Sequence, residues 1–82
     1  MPTIKRIGKL RVVIYPNDHR PAHVHVIGNG NEAMFNLHCA DGAPELRENF
    51  GFTQQQLGAI KAELISDLPY LWNEWRKIHG HQ

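Results

Sequence analysis

The chain has 82 residues, of which 41% are hydrophobic and 21% charged, with a net charge of +1. These values exclude a disordered or membranous chain, and no apolar run approaches the roughly 20 residues that a bilayer span requires. One core in a chain this short buries only about 60 to 65% of the surface its unfolded form exposes, so further burial against a partner or a second copy is expected.

The start, Met1-Pro2-Thr3-Ile4-Lys5-Arg6, is not followed by a signal-peptide core, and Cys39 is alone. Together they predict a cytoplasmic protein in a reducing compartment, with Cys39 as a half-buried small hydrophobe. Charge is unevenly placed: residues 1–20 hold Lys5, Arg6, Lys9, Arg11 and Arg20 against Asp18. Such a basic strip either discourages edge pairing or meets an acidic partner such as RNA, and the first reading is preferred.

In chain order, Thr3 to Ile7 predicts a short strand, joined through Gly8 and Lys9 to a β-branched run from Leu10 to Tyr15. Val12 and Ile14 fall on one side of that run and Val13 and Tyr15 on the other, the pattern of a central strand. Pro16 to Pro21 cannot continue a ladder, because both prolines lack an N–H and Asn17 and Asp18 favour turns. A stiff loop is expected there, carrying Asp18, His19 and Arg20.

Asn29 and Gly30 stand between two alternating segments and are the preferred pair for a two-residue type I′ hairpin. Closing the turn there sets Gly28 opposite Asn31 and His23 opposite Asn36. One face then carries Ala22, Val24, Val26, Ala33, Phe35 and Leu37, the predicted core. The other carries His23, His25, Ile27, Glu32, Met34, Asn36 and His38, predicted polar. A one-residue slip would exchange the faces.

Asp41 and Gly42 predict another turn, and Pro44 to Asn49 a short edge strand. A helix start follows: Thr53 as N-cap, Gln56 completing a capping box, and Phe52 placed to staple against Leu57. Leu57, Ile60, Leu64, Leu68, Leu71, Trp75 and Ile78 then form one apolar stripe, with Lys77 suited to the C-terminal dipole and Gly80 to the position after the cap. Pro69 removes the bond to the Ile65 carbonyl at a cost of about 3 kcal/mol, which predicts a kink or break near Ser66 to Leu68. An unbroken helix over 54–79 would be about 39 Å long against about 17 to 20 Å for a strand. Trp72 and Trp75 lie in the overhang, and must either fold back over the sheet or meet another molecule. The predicted architecture is one α+β domain over residues 1–82: a small antiparallel sheet of three to five strands (about 3–49) packed on one long, kinked C-terminal helix (about 54–79).

The chain resembles, nearly end to end, a family of small bacterial proteins catalogued as domain of unknown function 4160. The resemblance lies in Met1-Pro2-Thr3-Ile4, the stretch from Val13 to Val26, Glu45-Leu46-Arg47-Glu48-Asn49, and Trp75 with Ile78-His79-Gly80. It implies no established activity. It does imply that a second small protein is encoded alongside, in an arrangement like a toxin and antitoxin pair. One departure is Ala22, where the family usually has a second proline.

The polar stretch supports several chemistries. His23 and His25, two apart on a strand, project to one face and could ligate a metal with His19, Glu32 or His38, although no zinc signature accompanies them. Alternatively His19, His23 and His25 could serve as general acid and base on an RNA ribose, with Arg20 stabilising the phosphate, in a metal-independent ribonuclease. A histidine-triad hydrolase is rejected, since Ile27 stands where the third histidine would be. In the structural reading Asp18 orients His19 or Arg20 and His23 bonds Asn36, so that Asn17, Asp18, Asn36 and His38 form a recognition surface, with Trp72 and Trp75 as anchors. The expectation adopted is an interaction module of a toxin and antitoxin type pair that needs no cofactor. Its partner would be a small protein encoded nearby, a second copy, or both; the ribonuclease would bind RNA.

Overall fold

In the computed structural model, which describes residues 3–17, 21–37 and 43–79, the chain forms strands β1 (Thr3–Ile7), β2 (Leu10–Val13), β3 (His23–Gly28), β4 (Asn31–Asn36) and β5 (Glu45–Phe50), then helices α1 (Gln54–Ser66) and α2 (Leu68–His79). The strands pair antiparallel in chain order, giving a five-stranded meander. The Asn29 and Gly30 turn sets the central register as expected, from Gly28 against Asn31 to His23 against Asn36. Both turn residues have positive φ, 53° and 77°, as a type I′ turn requires and as Asn and Gly accept with least strain. The Leu37 N–H donates to the Ala22 carbonyl at 2.8 Å, extending the pairing past the strand ends.

β2 stops at Val13 rather than Tyr15. Val13 is the last residue of β2 that is paired, with Thr3 of β1 on one side and His25 of β3 on the other. One face of the sheet carries Val12, Val24, Val26, Ala33 and Phe35, all buried in one cluster with Leu57, Ile60, Leu64, Leu71 and Trp75 of the helices. The helices supply these residues from the stripe read in the sequence.

The long helix is not one helix. α1 begins with the capping box: the Thr53 N–H donates to Gln56 Oε1 at 2.8 Å, and the Gln56 N–H to Thr53 Oγ1 at 3.1 Å. It ends at Ser66, with Asp67 as its C-cap at φ −118° and ψ 22°. α2 then starts afresh at Leu68, so Pro69 sits in its first turn, where N–H groups have no intrahelical acceptor and a missing donor costs little. The break turns the second half of the stripe back onto the sheet, and Leu71 and Trp75 are buried.

The two sheet edges differ. On β1 the Ile4 carbonyl accepts a bond from Tyr70 Oη at 2.6 Å, and Lys5 Nζ reaches Asp67 Oδ2 at 2.5 Å and Glu63 Oε1 at 3.8 Å. The junction of the helices thus contacts that edge at Ile4 and Lys5, while Arg6 is exposed. β5 pairs with β4, and all six of its residues are exposed.

The Lys5 contacts carry a pH-dependent share of stability. The hydrogen bond to Asp67, followed by the charges of Asp67 and Glu63, raises the Lys5 pKa above its ordinary 10.5 against the opposing effect of burial. A raised folded pKa means stabilisation that is complete below the unfolded value and is lost as pH rises through the folded one. Asp67 and Glu63 are partly exposed and screened, so Lys5→Met is expected to cost under about 1 kcal/mol at neutral pH. The difference from wild type, measured by urea unfolding, should persist to about pH 10 and shrink above it. A gap that widens at high pH would contradict this origin.

Candidate functional site

His23 and His25 alternate with Val24 and Val26 and therefore lie on the face opposite the core. Alternation alone predicts a solvated face, yet the two residues are 5% and 8% exposed, and Val13, beside His25, is fully buried. Among the described residues, rings pack against the two histidines. Tyr15 packs edge-on against His25 at 4.7 Å between centroids, and His25 lies 5.1 Å from His23. His23 lies 5.6 Å from Trp75, which stacks on His79 at 3.9 Å with planes 23° apart. A continuous line of rings runs from the end of β2 through the start of β3 to α2. Trp75 belongs to it and to the core cluster at once.

Hydrogen bonds fix the orientation of both strand histidines. His23 Nδ1 is 2.8 Å from the Pro21 carbonyl, and His25 Nδ1 is 2.9 Å from Glu32 Oε2. Carbonyl and carboxylate oxygens only accept, so in each ring Nδ1 carries the hydrogen and donates. The expected bond from His23 to Asn36 does not form: His23 turns to Pro21, two residues before it, and Asn36 Oδ1 is buried without a partner among the described residues. His79 Nε2 and Trp72 Nε1 are likewise buried and unsatisfied among them.

Of the other residues singled out in the sequence, Asn17 is exposed. Asp18, His19, Arg20, His38 and Cys39 lie outside the described residues, as do the Asp41 and Gly42 turn and Gly80. Trp75, at 1% exposure, is a core residue and offers no ring to a partner; Trp72 is half-buried. Among the described residues no group of three His, Cys, Asp or Glu side chains is placed to hold a metal ion, and no helix is long and apolar enough to cross a membrane.

Sequence reasoning misses the places of Tyr15 and His79 in the ring line and of Glu32 as the partner of His25. Parity could have found Tyr15, since it shares a side with Val13, which faces His25. The four-residue step from Trp75 to His79 likewise places both rings on one side of a helix. Only the path of α2 joins that pair to His23.

One concavity lies on α2. Leu68, Pro69, Trp72, Asn73 and Arg76 line it, and its volume is about 340 Å³. Arg76 is held by a bond from its guanidinium to Asn73 Oδ1 at 2.8 Å. The groove combines apolar side chains, a half-buried indole and a cation.

These features define a small α+β meander protein with a buried line of rings on its sheet and a groove on its last helix. The chain belongs to the family described as Domain of unknown function (DUF4160), whose model matches residues 10–76. Neither the curated proteins nor the solved structures hold a significant match.

Proposed function

We propose that the protein is an interaction module of a toxin and antitoxin type pair, and that its α2 groove receives the small partner protein. The observation that carries this reading is the groove itself, lined by Trp72 and Arg76 together with Leu68, Pro69 and Asn73. Tryptophan and arginine dominate binding energy at protein interfaces, and a central aromatic in an apolar depression is their usual setting. The partner would supply an apolar side chain for the groove and a carboxylate for Arg76. That the partner is encoded nearby rests on the family resemblance.

The burial of His23 and His25 favours an architectural role for them. A general acid or base acting on an RNA ribose must be reachable by the substrate, and rings 5% and 8% exposed are largely closed off.

The test is titration calorimetry between the purified protein and the product of the neighbouring gene. Trp72→Ala is expected to weaken binding by about 2 kcal/mol, roughly thirtyfold. Arg76→Ala, at an exposed position, should weaken it without altering thermal unfolding. No heat of binding with the wild type, or an unchanged affinity in both variants, would remove the reading.

A further inference from the structure

We propose that β5 is a self-pairing edge: two copies of the chain join β5 to β5 antiparallel about a two-fold axis, making one continuous sheet. The helix junction occupies the Ile4 and Lys5 end of the β1 edge, whereas among the described residues no strand pairs with the outer edge of β5, all of whose residues are exposed; strand addition there would supply main-chain hydrogen bonds along its length.

The second copy is specified by the side chains. Opposite β4, Glu48 faces Met34 and Leu46 faces Phe35, so the strand has one extra residue, Arg47, in a bulge. The bulge changes the phase of the strand. Glu45, Glu48 and Phe50 align with Asn36, Met34 and Glu32 on the histidine face, while Leu46 and Asn49 align with Phe35 and Ala33 on the core face. Residues directly opposed in an antiparallel pair must share a face, and a two-fold axis through the sheet preserves faces.

One register satisfies this for the Glu45, Leu46, Asn49 and Phe50 positions and brings the bulge residue beside Glu48. It sets Glu45 against Phe50 of the copy, Leu46 against its Asn49, and Arg47 against its Glu48. The Arg47 and Glu48 contact then occurs twice by symmetry, with opposite charges each time. Sliding the copies by one residue pairs Glu45 with Asn49 or Leu46 with Phe50, across faces. Sliding by two sets Glu45 against Glu48, or again mixes faces by pairing Glu48 with Asn49. The same charges that oppose indiscriminate edge pairing therefore favour this arrangement. Leu46 at 41% and Phe50 at 57% exposure would exchange contact with water for contact with the copy. The edge is short, so association in the micromolar range is expected. It is independent of the α2 groove, and either proposal can fail without the other.

The experiment is sedimentation equilibrium of the full chain from micromolar to submillimolar concentration, with circular dichroism to verify folding. Wild type should show a monomer–dimer equilibrium. R47E brings two carboxylates together at each of the paired contacts, and E48R brings two guanidinium groups together there; each should weaken the dimer at least about tenfold. The double variant R47E/E48R restores opposite charges in reverse order and should recover the dimer. A wild type that stays monomeric overturns the proposal, as does a dimer indifferent to the single reversals or one that the double variant fails to restore.

Discussion

Replacing Trp75 with alanine is expected to lower the unfolding free energy by about 3 to 5 kcal/mol, the largest effect of any single side chain outside the sheet. The indole is 1% exposed and packed with Leu64, Leu71 and Phe35 in the core cluster. It also closes over His23 and stacks on His79. Its removal thus opens a cavity and exposes polar rings that the fold keeps covered. A chain of this size has a stability of only about 5 to 10 kcal/mol, so the variant should be half unfolded or nearly so under mild denaturant. The measurement is urea unfolding followed by far-ultraviolet circular dichroism. Trp75→Phe, which keeps a ring, should recover part of the loss, since aromatic contact is retained at smaller volume. A Trp75→Ala protein with wild-type midpoint would mean that α2 does not hold the sheet as described.

His25 should show the second large effect, and the pattern among its variants separates architecture from chemistry. His25→Ala removes a buried ring lying between Tyr15 and His23 and deletes the donor to Glu32 Oε2. The expected cost is about 2 to 4 kcal/mol, from a cavity and a broken charge-assisted bond. His25→Phe keeps the ring volume and loses the bond, and should cost about 1 to 2 kcal/mol, because Glu32 is partly exposed and water replaces the donor. Urea unfolding gives the stabilities, and calorimetry with the partner gives the affinities. If the ring serves the fold, partner affinity should follow stability, and His25→Phe should bind nearly as wild type. Loss of binding in a stably folded His25→Phe would assign the imidazole a direct part in recognition.

The two variants also bear on how the histidine face reads from sequence. Alternation correctly places His23 and His25 opposite Val24 and Val26, because strand periodicity is a local property of the backbone. It does not reveal what lies above a face. The second helix, starting at Leu68, brings Trp75 to within 5.6 Å of His23. Their separation in sequence shows why no local pattern discloses the contact.

The same division holds for Pro69. Its chemistry announces a lost hydrogen bond, and a break near Ser66 to Leu68 is legible. The outcome depends on where the chain can reverse. Asp67 ends α1 and its carbonyl accepts from the Leu71 N–H at 3.0 Å, so the proline begins a helix instead of bending one. Lys5 holds Asp67 from β1, across a separation of 62 residues. The bulge at Arg47 is equally hidden: Pro44 to Asn49 suggests an edge strand, but the register shift appears only when β5 is aligned with β4.

What the sequence by itself determined is local: the Asn29 and Gly30 turn with its register, the Thr53 and Gln56 cap, and the apolar stripe along the helices. Each depends on backbone dihedrals or on neighbours within a few residues, where the physics is short-ranged. The tertiary structure alone decided that the break in the stripe starts a second helix instead of kinking one, that the helix junction contacts Ile4 and Lys5 of β1 while every residue of β5 is exposed, and that the histidines of β3 pack against Tyr15 and Trp75. Those outcomes rest on contacts between distant segments, whose formation depends on how the whole chain encloses its apolar surface.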